Sequence, residues 1–364
     1  MHAPSVGEGL QALPVLQLMR ARRPEVQIAY TYYSPSAAHF AARLEADFAD
    51  YLPFDTVGDA RRAIACLAPN ALVFSKLDIW PLLTETAAEL GVKLGVVSGT
   101  LSRHSRRGGM LGRQLLGDAY RKFDSVGAAS PGDAKRFRAQ GVPYARVSVT
   151  GDTRYDQVWE RATHGDTALV ESLRSVRPTV VAGSTWPSDE RRLLKAWAGV
   201  MKGLPHARLI IAPHEISGVH IAGILAWAKL QGRSVARIDT AAPDTDVIVV
   251  DRVGVLGDLY ALGHIAYVGG AFHRAGLHSV LEPAAFGLPV VFGPGHSRSA
   301  DAANLIAARG GFAIHKAAEL ERCILSFFYS DDERQIAGGR AKEMVRRGLG
   351  AAERSFALVS RLLD

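Results

Sequence analysis

Short apolar runs alternate with helix-like segments along the whole chain, and this alternation constrains the fold more than any other feature. The runs are rich in Val, Tyr, Thr and Phe, which is typical of buried parallel strands. In the first half the pattern predicts strands at Val26–Tyr33, Ala71–Ser75, Lys93–Ser98, Ser125–Ala129 and Val147–Thr150. It predicts helices between them at Leu10–Arg22, Ser36–Phe48, Val57–Leu67, Leu82–Leu90 and Arg107–Lys122. Strands separated by helices indicate βαβ units and a parallel sheet.

A second series of the same kind begins after a polar stretch. Its predicted strands are Thr179–Gly183, Ala207–Ala212, Ser234–Ile238, Asp246–Val250, Ile265–Gly269 and Pro289–Phe292. A chain of 364 residues exceeds what one core usually holds, so we expect two domains. The prediction is an α/β protein with a Rossmann-like domain at 1–155, a linker at 156–177 and a second Rossmann-like domain at 178–364. Parallel sheets bind ligands beyond the carboxyl ends of their strands, so we expect both sheets to face a central cleft.

Composition excludes several classes of protein and points to an acidic partner. Hydrophobic residues make up 48% and charged residues 22% of the chain, which excludes wholesale disorder. The two cysteines lack metal-ligand spacing and suggest a reducing compartment. No apolar run is long enough to cross a bilayer, so the interpretation is a soluble, cytoplasmic protein. The formal net charge of +7 favours nucleic acid, anionic lipid or a phosphorylated small molecule as partner.

The segment that runs from Val268 to Pro294 carries the strongest chemical signal. A predicted strand ends at Gly269 and Gly270, and a loop with Gly276 leads to a helix that is expected to start near His278. Glycines after a strand let a ligand approach the backbone, and free N–H groups at a helix start attract phosphate. Glu282, one turn into that helix, is placed to accept hydrogen bonds from ribose hydroxyls. Nucleotide binding is therefore favoured over a helix-capping loop with a solvated glutamate.

Three other segments bring polar groups to expected ligand positions. Ser184 and Thr185 follow one predicted strand and His214 follows the next, so they either hold an anion or serve structural roles. Glu8 lies between two glycines at a helix entry, where the helix dipole favours its anionic form. Spacing alone favours a first-turn glutamate that only complements this dipole. The alternative is a general base, which must be anionic before it accepts a proton.

A basic segment stands out between Leu101 and Lys122. The segment contains six basic residues, among them Arg106 and Arg107, and one acidic residue, Asp118. Glycine, methionine and leucine stand between the basic residues. A solvated helix face is the usual reason for such a run, but the composition also suits a lipid at a membrane surface. The chain shows no nucleic-acid-reading module, so we do not expect a nucleic acid partner.

Together these segments resemble the 3-deoxy-D-manno-octulosonic acid (Kdo) transferase family of lipopolysaccharide biosynthesis. The resemblance covers nearly the whole chain, and its blocks follow the family's order. These blocks are His2–Glu8, Tyr51–Thr56, Lys76–Trp80, Thr150–Asp156, Gly183–Pro187, Ala212–Glu215 and Gly269–Pro294. The resemblance implies a GT-B fold whose first domain binds the acceptor and whose second domain binds the donor, CMP-Kdo. The C-terminal helix is expected to pack back on the first domain.

The resemblance also implies roles for particular residues. Glu8 would be the general base that deprotonates a hydroxyl of the lipid A precursor (lipid IVA), with inversion at the Kdo anomeric carbon. The second domain would hold the donor through Ser184, Thr185, His214, Gly269, Gly270, Gly276, His278 and Glu282. Acceptor contacts are expected from Lys76, Asp78, Arg106 and Arg107. The resemblance implies no metal and no cofactor, because basic groups and N–H dipoles can stabilise the leaving phosphate. The protein would sit peripherally on the cytoplasmic face of the inner membrane and contact its anionic surface.

The chain departs from the family pattern in several places. It starts at the glutamate motif, so the family's membrane anchor and first strand are expected to be missing. Ser279 replaces the usual asparagine after the histidine, and Pro213-His214-Glu215 stands where many members have proline-arginine-histidine. Two alternatives therefore remain open: an enzyme of the same fold that uses a UDP-sugar, such as a glycosyltransferase or an epimerase, and a non-catalytic nucleotide- or lipid-binding remnant.

Overall fold

The computed structural model describes residues 1–76, 79–101, 117–165 and 167–364, which form two compact units. The first unit comprises Met1–Gln157 and Gly348–Asp364, and the second comprises Val158–Arg347. Residues 156–177, predicted to be a linker, belong to the second unit from Val158 onwards. The reason is burial, because Val170 and Leu173 are part of that unit's core.

In the described part of the first unit, six parallel strands form the sheet. They are β1 (Ala29–Tyr32), β2 (Phe48–Tyr51), β3 (Ala71–Ser75), β4 (Lys93–Gly99), β5 (Ser125–Ala128) and β6 (Val147–Val149). Strand β1 pairs with β2, and the other four follow in the order β3-β4-β5-β6. The helices of this unit are α1 (Val6–Arg22), α2 (Ala38–Ala41), α3 (Val57–Leu67), α4 (Pro81–Glu89), α5 (Pro131–Ala139) and the last helix, α15 (Ala351–Leu363). Helix α15 packs against α1 and β4 and buries Leu358 and Val359.

Residues 1–3 lie between β1 and β3 of the first sheet. His2 forms parallel bridges with both Thr31 and Phe74. The backbone N–H of His2 donates to Val73 (2.8 Å), and the N–H of Ala3 donates to the carbonyl of Thr31 (3.0 Å). This short segment therefore joins the two parts of the first sheet through ordinary ladder hydrogen bonds.

The second unit contains a seven-stranded parallel sheet in the order β13-β12-β11-β7-β8-β10-β9. Its strands are β7 (Thr179–Thr185), β8 (Arg208–Pro213), β9 (Val235–Arg237), β10 (Val247–Val249), β11 (Ile265–Val268), β12 (Val290–Phe292) and β13 (Gly311–Ala313). Two apolar clusters cover its two faces. The helices are α7 (Ala168–Ser172), α8 (Pro187–Gly203), α9 (Gly218–Leu230), α10 (Leu256–Leu259), α11 (Leu281–Ala285), α12 (Ala300–Ala307), α13 (Ala317–Tyr329) and α14 (Asp331–Arg346), while α6 (Arg154–Thr163) runs across the unit boundary.

Three local expectations differ from the structure. Within the predicted helix Ser36–Phe48, the only α-helix is the short α2, and Phe48 is already the first residue of the exposed strand β2. The predicted helix from His278 to Phe286 begins only at Leu281 and has five residues. The sequence pattern also predicts a continuous helical stretch over Asp332–Leu363, but Gly350, with a φ of +85° that favours glycine, separates α14 from α15.

Candidate active site

In the first unit, the candidate base Glu8 is held by two neighbouring side chains. The Ser5 hydroxyl donates to Oε2 of Glu8, and the Lys76 Nζ donates to Oε1 at 3.2 Å. The Ser75 hydroxyl donates to the Glu8 backbone carbonyl at 2.8 Å, which ties the start of α1 to the end of β3. Lys76, predicted as an acceptor contact, thus pairs with Glu8 itself. Its φ of +68° is unusual for a residue with a side chain.

The electrostatic surroundings of Glu8 favour its ionised form. Partial burial acts to raise the pKa of its carboxyl, but the Ser5 hydrogen bond and the Lys76 ammonium outweigh this effect and lower the pKa below its ordinary value. Glu8 also lies in the first turn of α1, where the helix dipole stabilises negative charge. The carboxylate is therefore present at neutral pH, as a general base requires.

The two glycines beside Glu8 differ in how closely other atoms pack against them. A Cβ at Gly9 would lie 2.5 Å from Cε1 of Phe40 and 2.7 Å from the Tyr30 hydroxyl, so this position requires glycine for close packing. Gly7 is exposed and has only the Ser5 hydroxyl nearby. The helix begins at Val6, earlier than predicted, because Gly9 fits beneath Phe40 and allows α1 to start before the glutamate.

An aromatic surface made of Tyr33, Phe54 and Trp80 lies at the same edge of the first sheet. The ring centroids of Tyr33 and Trp80 are 5.1 Å apart, and those of Tyr33 and Phe54 are 6.5 Å apart. Tyr33 is 46% exposed and Phe54 is 71% exposed. Large aromatic rings left in contact with water often mark a binding surface. The predicted acceptor contacts Asp78, Arg106 and Arg107 lie outside the described residues.

In the second unit, the ends of β7 and β11 approach each other unusually closely. A Cβ at Gly269 would lie 2.3 Å from the Ser184 carbonyl oxygen and 2.6 Å from the Cα of Thr185, so only glycine fits there. Ser184 has a φ of +52°, and the pairing of β7 with β8 shifts register between Gly183 and Thr185. Such irregularities often occur beside functional sites, where they redirect side chains.

The loop after β11 folds back on itself. The N–H of His278 donates to the carbonyl of Gly269 at 3.2 Å, and the N–H of His273 donates to the carbonyl of Gly270 at 2.9 Å. Gly270 and Gly276 have φ values of +95° and +91°, which favour glycine. A Cβ at Gly270 would lie 2.1 Å from the Gly276 carbonyl oxygen. The predicted glycines therefore shape one compact loop.

A buried carboxylate, Asp189, organises this loop. Its Oδ2 accepts from the backbone N–H of Gly270 (2.9 Å) and of Trp186 (3.0 Å), while Oδ1 accepts from the Tyr267 hydroxyl (3.3 Å). The side chain is inaccessible to solvent. Asp189 thus ties the start of α8 to the loop after β11, and sequence reasoning missed it. The available signal was Pro187 followed by an acid at the third helical position, a helix-start pattern.

Thr185 is engaged inside the protein and does not offer its hydroxyl to a ligand. The hydroxyl donates to Oε1 of Glu190 at 2.7 Å, and Oε2 of Glu190 lies 2.7 Å from Nε2 of His220. Nδ1 of His220 lies 3.1 Å from the Glu215 carbonyl oxygen, which fixes the loop after β8. Thr185, which was predicted to contact the CMP-Kdo donor, is thus part of a hydrogen-bond network that holds the loop carrying His214.

His214 and His278 do come together, within a cluster of four rings. Trp186 stacks on His273 with centroids 4.0 Å apart and an interplanar angle of 14°. Its centroid is 4.7 Å from that of His214, which is 4.3 Å from that of His278. The indole Nε1 donates to Nε2 of His278 at 3.1 Å. Trp186 is a second member of the site that sequence reasoning did not single out.

Glu282 is the second residue of α11 and lies near Arg161 and Asp258. Burial raises the pKa of Glu282, and the Arg161 guanidinium only partly offsets this. Nε of Arg161 lies 2.6 Å from Oδ1 of Asp258, so the Arg161 guanidinium is paired with Asp258 and not with Glu282 alone. Among the described residues, no side chain or backbone group hydrogen bonds to the Glu282 carboxylate. A half-buried carboxylate without a hydrogen-bonding partner suits a ligand that brings its own donors.

Two features are absent from the part of the chain that the structure describes. No three His, Cys, Asp or Glu side chains are grouped so as to hold a metal ion. No helix there is both long and apolar enough to cross a bilayer.

The arrangement of strands defines the class of protein first. Two units with parallel sheets are shared with the UDP-GlcNAc 2-epimerase from Neisseria meningitidis, with a TM-score of 0.70 over 100% of this chain and 98% of that one. The UDP-N-acetylglucosamine 2-epimerase from Listeria monocytogenes gives a TM-score of 0.67 over 98% of this chain and 95% of that one. Identities of 9% and 12% show the fold alone, which is GT-B as predicted.

Sequence comparison then shows which proteins the chain is similar to. The family model described as 3-deoxy-D-manno-octulosonic-acid transferase (kdotransferase) matches residues 1–157. The 3-deoxy-D-manno-octulosonic acid transferase of Haemophilus influenzae is 26% identical over 100% of this chain and 87% of that protein. The enzyme of that name from Aquifex aeolicus is 27% identical over 88% of this chain and 83% of its own. These matches confirm the resemblance to Kdo transferases that was drawn from the motifs, and the similarity to the Haemophilus influenzae protein extends over the whole chain.

Proposed function

We propose that the protein is an inverting glycosyltransferase that moves Kdo from CMP-Kdo to a lipid A precursor in lipopolysaccharide biosynthesis. The hydroxyl oxygen of the acceptor forms a bond to the anomeric carbon of Kdo, and the bond from that carbon to the CMP phosphate breaks. Glu8 takes the hydroxyl proton, and CMP leaves with the bonding electrons. Similarity to proteins named 3-deoxy-D-manno-octulosonic acid transferase supports the transferase activity, and lipid IVA is our proposal for the acceptor.

Binding of the CMP-Kdo donor is supported by one observation: the glycine loop after β11 leads directly to the helix that carries Glu282. The loop after β11 brings backbone close to a ligand position, and Glu282 has a carboxylate without a protein hydrogen bond among the described residues. We assign the ribose hydroxyls of CMP to Glu282. Gly269, Gly270 and Gly276 give the backbone room, and His214 and His278 contact the phosphate or the Kdo carboxylate. Ser184 contributes through its backbone, and Thr185 positions the neighbouring loop.

The acceptor half is supported by the first unit. Glu8 is ionised at neutral pH, and the aromatic surface of Tyr33, Phe54 and Trp80 lies at the same edge of the sheet. Exposed rings beside an acid–base group suit an acceptor that has apolar chains next to sugar hydroxyls. Asp78, Arg106 and Arg107 are proposed to contact its anionic groups. The primary role proposed for Lys76 is its ion pair with Glu8, which lowers the pKa of the Glu8 carboxyl.

We place the protein at the cytoplasmic face of the inner membrane, because its acceptor is a lipid. The basic segment between Leu101 and Lys122 supports attraction to an anionic surface. This peripheral association needs no spanning helix.

The direct test incubates the full chain with CMP-Kdo and lipid IVA. The proposal predicts release of CMP together with an acceptor whose mass increases by whole Kdo residues. A parallel titration compares CMP with UDP, because the fold is shared with UDP-sugar enzymes. Tight binding of UDP without binding of CMP, or absence of any Kdo-containing product while CMP binds, would overturn the proposed reaction.

A further inference from the structure

We propose that Trp186 is a positioning residue that fixes His278 as the neutral tautomer with its proton on Nδ1. In this form His278 offers an uncharged N–H donor to an anionic group of the bound nucleotide. The identity of the ligand rests on the proposed function. The tautomer itself rests only on the hydrogen-bond geometry of the site.

The geometry leaves one choice of tautomer. The indole Nε1 of Trp186 lies 3.1 Å from Nε2 of His278, and an indole N–H can only donate. Nε2 of His278 must therefore accept, which means that it carries no proton. A neutral imidazole then has its proton on the other ring nitrogen. Among the described residues, no group hydrogen bonds to Nδ1 of His278, so this donor is available to a ligand.

The charge state of His278 agrees with this assignment. The pKa of His278 is lowered to about 4, mainly by burial; the rings of His214 and His273 act in the same direction, and the Asp189 carboxylate opposes them. These groups come from the loop after β8, the loop after β11 and helix α8. His278 is consequently neutral at physiological pH, and its contribution to binding does not depend on pH between 6 and 8.

The indole itself has little freedom to move away. It stacks on His273 and packs against His214, so two neighbouring rings hold its plane. The backbone N–H of Trp186 donates to the buried Asp189 at 3.0 Å, and Pro187 follows at the first helical position. A donor that is fixed in this way holds the ring plane of His278 as well as its protonation, which is what pre-organises a binding site.

The test substitutes Trp186→Phe, which keeps an aromatic ring and removes only the indole N–H. The matched control is Trp197→Phe in the same helix, because Nε1 of the buried Trp197 has no hydrogen-bonding partner. Long-range proton–nitrogen NMR on the full chain with ¹⁵N-labelled histidine reports the tautomer, and His278→Gln assigns the signals. We expect a protonated Nδ1 on His278 in the wild type and in the control. In Trp186→Phe we expect a mixture of both tautomers.

The functional readout is a titration of the same proteins with CMP. Loss of one positioned hydrogen bond predicts roughly 2- to 10-fold weaker binding by Trp186→Phe, with the control unchanged. A proton on Nε2 in the wild type, or an unchanged tautomer in Trp186→Phe, would overturn the positioning role. A changed tautomer with unchanged CMP affinity would overturn the assignment of the ligand contact. Failure of all variants and the wild type to bind CMP would instead contradict the proposed function.

Discussion

Nζ of Lys76 lies 3.2 Å from Oε1 of Glu8, so the candidate base and a residue predicted to bind the acceptor form one ion pair. The Lys76 side chain is 44% exposed and the Glu8 side chain is 18% exposed. The exposed partner can move aside for a substrate while the half-buried one stays in place. This pairing keeps Glu8 ionised before the acceptor binds.

Replacing Lys76 with methionine is expected to shift the acid side of the pH–rate profile upward. Glu8 acts only when ionised, so turnover is present above its pKa and is lost as the pH falls through it. Lys76 helps to lower the pKa of Glu8 below its ordinary value. Without the Lys76 ammonium, the Ser5 hydrogen bond is the main interaction that opposes the effect of burial, so the pKa of Glu8 rises. Turnover measured between pH 3.5 and 7 tests this. Lys93→Met, at the exposed start of β4, should leave the profile unchanged. An identical acid limb in Lys76→Met would remove Lys76 from this role.

Gly269→Ala should destabilise the second unit and weaken CMP binding together. The new methyl would lie 2.3 Å from the Ser184 carbonyl, so β7 and β11 must separate, and overpacking of this kind costs about 1–3 kcal/mol. The control is Gly223→Ala in α9, where nothing lies within 4 Å, and alanine there should stabilise the helix by about 0.5–1 kcal/mol. Thermal unfolding followed by circular dichroism measures both. A Gly269→Ala protein as stable as the wild type would contradict the close approach.

Glu282→Ala should weaken binding of CMP, because the ribose hydroxyls lose their acceptor. Leaving a buried polar group unpaired costs about 1–3 kcal/mol, which corresponds to roughly 5- to 150-fold in affinity. Calorimetric titration of the full chain measures the change. The ligand-side control is the 2′,3′-dideoxy analogue of CMP, which should bind the wild type and Glu282→Ala equally. If the variant still prefers CMP over the analogue by the wild-type ratio, the ribose contact lies elsewhere.

The basic segment makes a prediction from sequence alone. Each Lys or Arg near an anionic bilayer contributes about 1 kcal/mol to membrane binding. Co-sedimentation with vesicles that contain phosphatidylglycerol should therefore decrease with added salt and in the double variant Arg106→Glu with Arg107→Glu. Neutral phosphatidylcholine vesicles give the baseline. Binding that responds to neither change would leave the segment as a solvated face.

The buried strands were predictable because burial on both faces produces continuous apolar runs such as Val-Ile-Val in β10. The edge strand β2 was not, since Phe-Ala-Asp-Tyr is exposed along its whole length and shows no buried face. The start of α11 was placed three residues too early, at His278, because the loop hydrogen bonds that hold the backbone of His278 come from Gly269.

The same distinction holds for the candidate site. The glycine loop and Glu282 share one segment, so local sequence was enough to find them. Asp189 reaches Gly270 across 81 positions of sequence, and Trp186 reaches His278 across 92. No local pattern reports such contacts, which form only when neighbouring strands bring their carboxyl ends together.

The central claim is that Glu8 is the general base of the transfer, and Glu8→Gln tests it most directly. Glutamine keeps the size and most of the hydrogen bonding of glutamate but cannot accept the proton of a sugar hydroxyl. A positioned base typically contributes ~10²–10⁴-fold to the rate, so turnover of CMP-Kdo with lipid IVA should decrease by that factor. Affinity for CMP should stay at the wild-type value, because Glu8 lies in the other unit. Near-normal turnover by Glu8→Gln would contradict the account and leave Glu8 as a helix-entry residue.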